Sequence, residues 1–106
     1  MVQRDPIYDI LFEPLKIGPL TAKNRFYQVP HCNGMGYLRP NTLAKMREIK
    51  AEGGWAVVCT EEVEIHPNSD NGSAPEGRLC DDGDIPPLAK MTDAVHKHNA
   101  LARIQF

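Results

Sequence analysis

No apolar run in this sequence approaches the roughly 20 residues of a membrane span, so no membrane partner is expected. The start, Met1-Val2-Gln3-Arg4-Asp5-Pro6, is charged at once and lacks the apolar core of a secretory signal. Cysteine is scarce: Cys32, Cys59 and Cys80 are an odd set with no C-x2-C spacing. They do not read as a disulfide framework, and a reducing cytoplasm is the default location. His96 and His98 form an H-x-H, but residues two apart on a helix point to different faces, so no metal site is expected. A basic excess is also missing. Twelve Lys and Arg against fourteen Asp and Glu give a net charge of −2, which argues against a nucleic-acid partner. Gly34 and Gly36 give G-x-G without the third glycine of a dinucleotide-binding fingerprint. There is no internal repeat and no low-complexity tract.

What is present is an alternation of strand and helix. At 106 residues the chain is one domain at most, and 42% hydrophobic with 25% charged residues is ordinary globular composition. Leu15-Lys16-Ile17 and Leu20-Thr21-Ala22 flank the turn dipeptide Gly18-Pro19, which predicts a hairpin. Arg25–Val29 is aromatic and branched and reads as a strand closed by Pro30. Asn41-Thr42 offers an N-cap for a helix carrying Leu43, Met46 and Ile49 or Lys50 on one face, with Gly53-Gly54 as the stop. The run Trp55–Thr60 reads as a strand buried on both faces, as in a parallel sheet. Pro67 to Gly83 is a long loop, and Asp84 caps a second helix with Pro86 and Pro87 in its first turn. Leu88, Met91 and Val95 form its stripe, Asn99 ends it in the left-handed conformation, and Leu101–Phe106 is a further strand. The order is a hairpin followed by β-α-β-α-β, an α/β fold with parallel pairing. A chain stopping at a strand leaves an apolar sheet edge open, which suggests a piece of something larger.

Asn24-Arg25-Phe26-Tyr27-Gln28-Val29-Pro30-His31-Cys32 resembles the first barrel strand of the trimethylamine dehydrogenase-like branch of the Old Yellow Enzyme (NADH:flavin oxidoreductase) family. The likeness runs through Leu11–Pro14 and Ile17–Pro19 before it. After it come Lys50–Ala56, Thr60-Glu61, Asp82–Asp84 and Met91–Asp93, so it covers nearly the whole chain. The resemblance implies the N-terminal portion of a (β/α)8 TIM barrel, residues 1–106 giving the hairpin and first three strands. A whole barrel needs about 250 residues. It implies FMN as cofactor and oxidative N-dealkylation of a small amine, in a cytoplasmic and homo-oligomeric parent whose electron acceptor is not specified. A 4Fe-4S cluster would belong only to a downstream region. Two alternatives stand beside it. One is an ene-reductase of the dienoyl-CoA reductase type using NAD(P)H; the other is an inactive truncated fragment that needs a partner.

Active sites of such barrels lie at the carboxyl ends of the strands, here Pro30-His31-Cys32, Thr60-Glu61-Glu62 and Gln105. The resemblance makes Cys32 a flavin contact, either covalently linked through sulfur or unlinked, whereas free cysteines are usually buried and inert. A neighbouring His31 imidazolium would favour the Cys32 thiolate. Pro30 would line the ring, or simply terminate its strand. Gln105 would bond the polar edge of the flavin with its donor and acceptor, or be an ordinary strand-end side chain. Glu62 stands where the branch's type enzyme has a tyrosine of a cation–π bowl. A carboxylate there would bind a cationic amine bearing an N–H, or be one of three solvated charges with Glu61 and Glu64. Arg103 is a second departure, because the barrel interior is usually apolar and a buried guanidinium needs a partner.

Overall fold

A computed structural model describes residues 3–69 and 76–106. Asp5 opens a 3-10 helix over Pro6–Phe12 by accepting from the Ile7 N–H at 3.0 Å. The expected hairpin follows, with β1 (Leu15–Ile17) and β2 (Leu20–Ala22) antiparallel across Gly18, whose φ of +57° suits glycine. Then come β3 (Tyr27–Gln28), α1 (Pro40–Glu52), β4 (Val57–Glu64), β5 (Gly77–Arg78), α2 (Ile85–His96) and β6 (Leu101–Gln105).

β4 is the centre of the sheet. It pairs in parallel with β3 (Tyr27 opposite Val57), with β6 (Val57 opposite Leu101) and with β5 (Val63 opposite Gly77). Its buried residues point both ways, as a strand covered on both faces requires. On one face Val58 packs with Ala44, Ala51, Met91, Ala94, Val95 and Ala100. The small alanines let α1 and α2 lie close to the sheet. At the amino end of the strands, Ala22 of the hairpin packs on Ala56, Val57 and Leu101, so the hairpin covers that end.

Several sequence expectations shift for physical reasons. β3 is shorter than Arg25–Val29. The Asn24 side chain holds Phe26 out of the ladder by accepting its N–H at 3.0 Å, while donating to the Gly54 carbonyl at 2.8 Å. α1 starts at Pro40 rather than behind Asn41-Thr42, since proline at the first position has a preset φ and no N–H to satisfy. The buried stripe of α1 is Leu43, Ala44, Arg47 and Ala51, while Ile49 is exposed. An arginine takes the core-facing position because it has partners there, described below. Trp55 lies outside the strand and meets Phe26 edge-on at 6.0 Å. β4 runs on to Glu64 because β5 pairs with its end; the Gly77-Arg78 pair has no alternation to announce a strand. The expected Pro67–Gly83 loop falls partly on residues 70–75, outside the described ones. α2 matches its predicted stripe, with Leu88, Met91 and Val95 buried, and Asn99 has φ +57°.

The α1 surface is tied to the α2–β6 connection by Glu48. Its Oε1 lies 3.2 Å from both Lys97 Nζ and His98 Nε2. Its Oε2 accepts from Lys45 Nζ at 3.4 Å. The His98 hydrogen bond, then that of Lys97, lowers the Glu48 carboxyl from 4.5 to about 2. A carboxyl lowered on folding adds stability above its unfolded value and loses it as pH falls through the folded one. Glu48→Gln is therefore expected to lower Tm at pH 7. The gap to the parent should narrow as pH falls from 4.5 towards 2, read by thermal melts across that range.

Candidate functional site

Beyond β3 the chain passes Pro30, half-buried, and His31 and Cys32, both exposed, into a glycine-bearing loop that folds over β4. Glu61 of β4 holds that loop. Its side chain is fully buried. Oε2 accepts from the backbone N–H groups of Asn33 at 2.8 Å and Gly34 at 2.7 Å, and Oε1 from Met35 at 3.1 Å. Successive amides turned inward form a concavity that suits an anion, here filled by the protein's own carboxylate. Gly34, at φ +74°, supplies the turn that an L side chain resists.

Arg47 reaches the same loop from α1. It is fully buried, and Nη2 donates to the His31 carbonyl at 2.5 Å. Its Nε and Nη1 have no partner among the described residues. Burial pulls the guanidinium pKa down, while the charge of Glu61, followed by Cys59 and Cys32, supports it. Gly36 completes the fold-over. A Cβ there would collide with the Glu76 carbonyl oxygen and stand 3.2 Å from Glu61 Oε1.

Cys32 sits among carboxylates. Its thiol is pushed above the usual cysteine range, chiefly by its hydrogen bond to Glu76, while the Glu62 backbone N–H favours the thiolate. His31 lies next to Cys32 in the same exposed stretch. Glu62 is exposed and lies opposite Gln105 of β6, just past an irregularity in the pairing after Cys59. The buried Thr60 supports that irregularity, its Oγ1 accepting from the Gln105 N–H at 3.2 Å. Such a bulge re-aims side chains next to a site.

Pro30, His31, Cys32, Glu62 and Gln105 thus lie together at the carboxyl ends of three neighbouring strands. Arg103, deeper along β6, is exposed and donates to the Tyr27 hydroxyl at 2.6 Å, with Cys59 Sγ 3.4 Å from the same oxygen. A cavity of about 420 Å³ lined by Phe12, Asn24, Phe26 and Trp55 lies at the opposite end of the strands, away from these groups. Sequence reasoning missed the roles of Arg47, Glu61, Glu76 and Gly36. The i, i+4, i+8 spacing of Leu43, Arg47 and Ala51 was the available signal for Arg47. Glu61 was hidden among neighbouring glutamates, and nothing local pointed to Glu76.

A hairpin-capped parallel βαβαβ unit with polar side chains gathered at its carboxyl rim is the opening of a (β/α)8-barrel enzyme. The chain belongs to the NADH:flavin oxidoreductase / NADH oxidase family, whose model matches residues 10–106. Dimethylamine dehydrogenase from Hyphomicrobium sp. (strain x) is 52% identical over 99 residues, covering 93% of this chain and 14% of that protein. Histamine dehydrogenase from Rhizobium sp. 4-9 superposes with a TM-score of 0.90 at 58% identity, covering 95% of this chain and 16% of that one. The old yellow enzyme of Trypanosoma cruzi gives a TM-score of 0.79 at 25% identity, covering 92% and 26% respectively. The fold is that of the N-terminal part of these barrels, and this chain spans a small share of their length.

The family implies a flavin, and the rim fits one by the chemistry of its donors. Among the described residues the His31 ring and the Gln105 amide have no hydrogen-bond partner, leaving donors and acceptors free at the strand ends. Gly36→Ala tests the packing that shapes this rim. The added methyl is expected to destabilise the protein by about 1–3 kcal/mol, as overpacking does. Urea unfolding measures it, and an unchanged midpoint would mean that the Glu76 backbone yields to the methyl.

Proposed function

We propose that this chain forms the hairpin and first three strands of a flavin-dependent amine dehydrogenase, with FMN held against its rim. The observation that carries the reading is the juxtaposition of Cys32, Glu62 and Gln105 across β3, β4 and β6. The names of its more similar relatives, dehydrogenases of dimethylamine and histamine, support the amine class. The ene-reductase alternative draws on the more distant old yellow enzymes.

When bound, the flavin supplies a two-electron acceptor for a C–N centre; the protein supplies position and electrostatics. Pro30, with its fixed φ and no N–H, offers a rigid apolar edge for the ring plane. His31 and Gln105 bond the polar rim of the ring, Gln105 with both a donor and an acceptor. Cys32 would contact the ring through its sulfur, and the Glu76 carboxylate favours the protonated thiol there. An iron–sulfur cluster, if the whole protein carries one, draws its ligands from elsewhere, since Cys59 is buried beneath Tyr27 and Cys80 Sγ faces the Glu64 carbonyl at 3.6 Å.

Glu62 selects substrate. An exposed carboxylate at the mouth attracts an alkylammonium ion and accepts a charge-assisted hydrogen bond from its N–H; a protonated tertiary amine offers one such donor against two or three in secondary and primary amines, and a quaternary ammonium offers none. Hydrogen bonds to charged groups contribute about 1.5–3 kcal/mol, or roughly ten- to a hundredfold in affinity. In the full-length protein, Glu62→Gln is expected to raise KM for primary and secondary amines by about that factor, with kcat less affected. Steady-state kinetics across primary, secondary and tertiary amines checks this. Unchanged specificity would remove Glu62 from the substrate site, and absence of amine turnover with bound flavin would favour the ene-reductase alternative.

A further inference from the structure

We propose that Arg47 and Glu61 are the positioning residues of this site: a buried cation and a buried anion that together fix four backbone groups of the His31–Met35 loop and impose opposing fields on the Cys32 sulfur. The four groups are the His31 carbonyl, held by Arg47, and the Asn33, Gly34 and Met35 amides, held by Glu61. Cys32 lies between the two anchors in sequence, so the backbone that carries its sulfur is held on both sides.

Both side chains are fully buried, and each bonds the backbone of a residue next to Cys32, Arg47 at the His31 carbonyl and Glu61 at the Asn33 amide. Arg47 and Cys32 interact electrostatically, and Glu61 adds to the field that opposes ionisation of Cys32. The charged or titratable groups around the sulfur are His31 on its own loop, Arg47 from α1, Glu61 and Glu62 from β4, and Glu76 ahead of β5. Within this set only Arg47 is a permanent cation. Two of the three Arg47 nitrogens have no hydrogen-bond partner among the described residues. An apolar side chain of similar volume would bury more cheaply there. A guanidinium that cannot lose its proton supplies a fixed positive charge near a sulfur otherwise surrounded by carboxylates.

The proposal rests on the reading of this rim as the flavin site for its purpose, but its test does not require flavin. The full-length protein is produced in riboflavin-starved cells, leaving Cys32 free. Iodoacetamide labelling of the Cys32 peptide is then followed against pH by mass spectrometry. Arg47→Gln and Glu61→Gln each remove a charge, but the first also shortens a buried side chain and the second turns one accepting oxygen into a donor, so Arg47→Lys and Glu61→Asp, which keep the charge, serve as controls and are expected to leave the midpoint near its parent value. Arg47→Gln is expected to move the labelling midpoint up by about one pH unit, and Glu61→Gln to move it down by a similar amount, each about tenfold in thiolate fraction. A purely structural loosening of the loop would move both variants the same way, so parallel shifts or none overturn the proposal. Amide exchange in the wild-type protein gives a second reading that needs no variant: Asn33, Gly34 and Met35 are expected to be protected despite their place in an exposed loop. Exchange at the unprotected rate overturns the anchoring. FMN binding is measured separately on the wild-type protein, so its failure would refute the flavin reading while leaving these outcomes interpretable.

Discussion

A carboxylate closed off from water inside a sheet is costly unless its lone pairs are met, and Glu61 meets its own with three consecutive backbone amides. The bargain is mutual. The amides of Asn33, Gly34 and Met35 would otherwise be loop donors facing a protein interior, and Glu61 would be an isolated buried charge. Removing one partner from an arrangement of this kind typically costs about 3–5 kcal/mol, a large part of a domain's stability. The consequence reaches the strand ends: the loop after β3 is drawn over β4, Glu76 is pressed against Gly36, and Cys32 is left on the rim beside Glu62.

Much of the fold was legible because it follows from local chemistry. Gly18-Pro19 between two branched runs, the Gly53-Gly54 stop, the apolar run at Val57–Thr60 and the Leu88-Met91-Val95 stripe each carry their structural meaning within a few residues. The errors arose where a distant partner decides. Asn24 trims β3 through a bond to Gly54 thirty residues away. Arg47 occupies a helix position that periodicity assigns to an apolar side chain, because the His31 carbonyl and the Glu61 charge await it. β5 exists only as a pairing partner for the end of β4.

The candidate site divides the same way. Pro30, His31, Cys32 and Gln105 could be placed from strand ends alone, since barrel chemistry gathers at carboxyl termini. The resemblance to a flavin-dependent family supplied the reason to look there. The supporting residues were not legible: in sequence, Glu61 is one acidic residue among Glu62 and Glu64, and only burial separates a structural anion from its solvated neighbours. Glu76 lies forty-four positions beyond Cys32, and its backbone carbonyl packs where a Gly36 side chain would stand. Family membership and the early-barrel fold rest on the match over residues 10–106. The proposed amine chemistry rests on the likeness to dimethylamine and histamine dehydrogenases.

The central claim is that the loop anchored by Glu61 delivers the sulfur of Cys32 to a bound flavin. The distance from Cys32 Sγ to the nearest ring atom in a crystal structure of the full-length protein with FMN tests it most directly. The account predicts van der Waals contact at about 4 Å or less, or a covalent bond. A flavin bound at the strand ends with Cys32 a full side chain's length away, its loop still latched to Glu61, would contradict it.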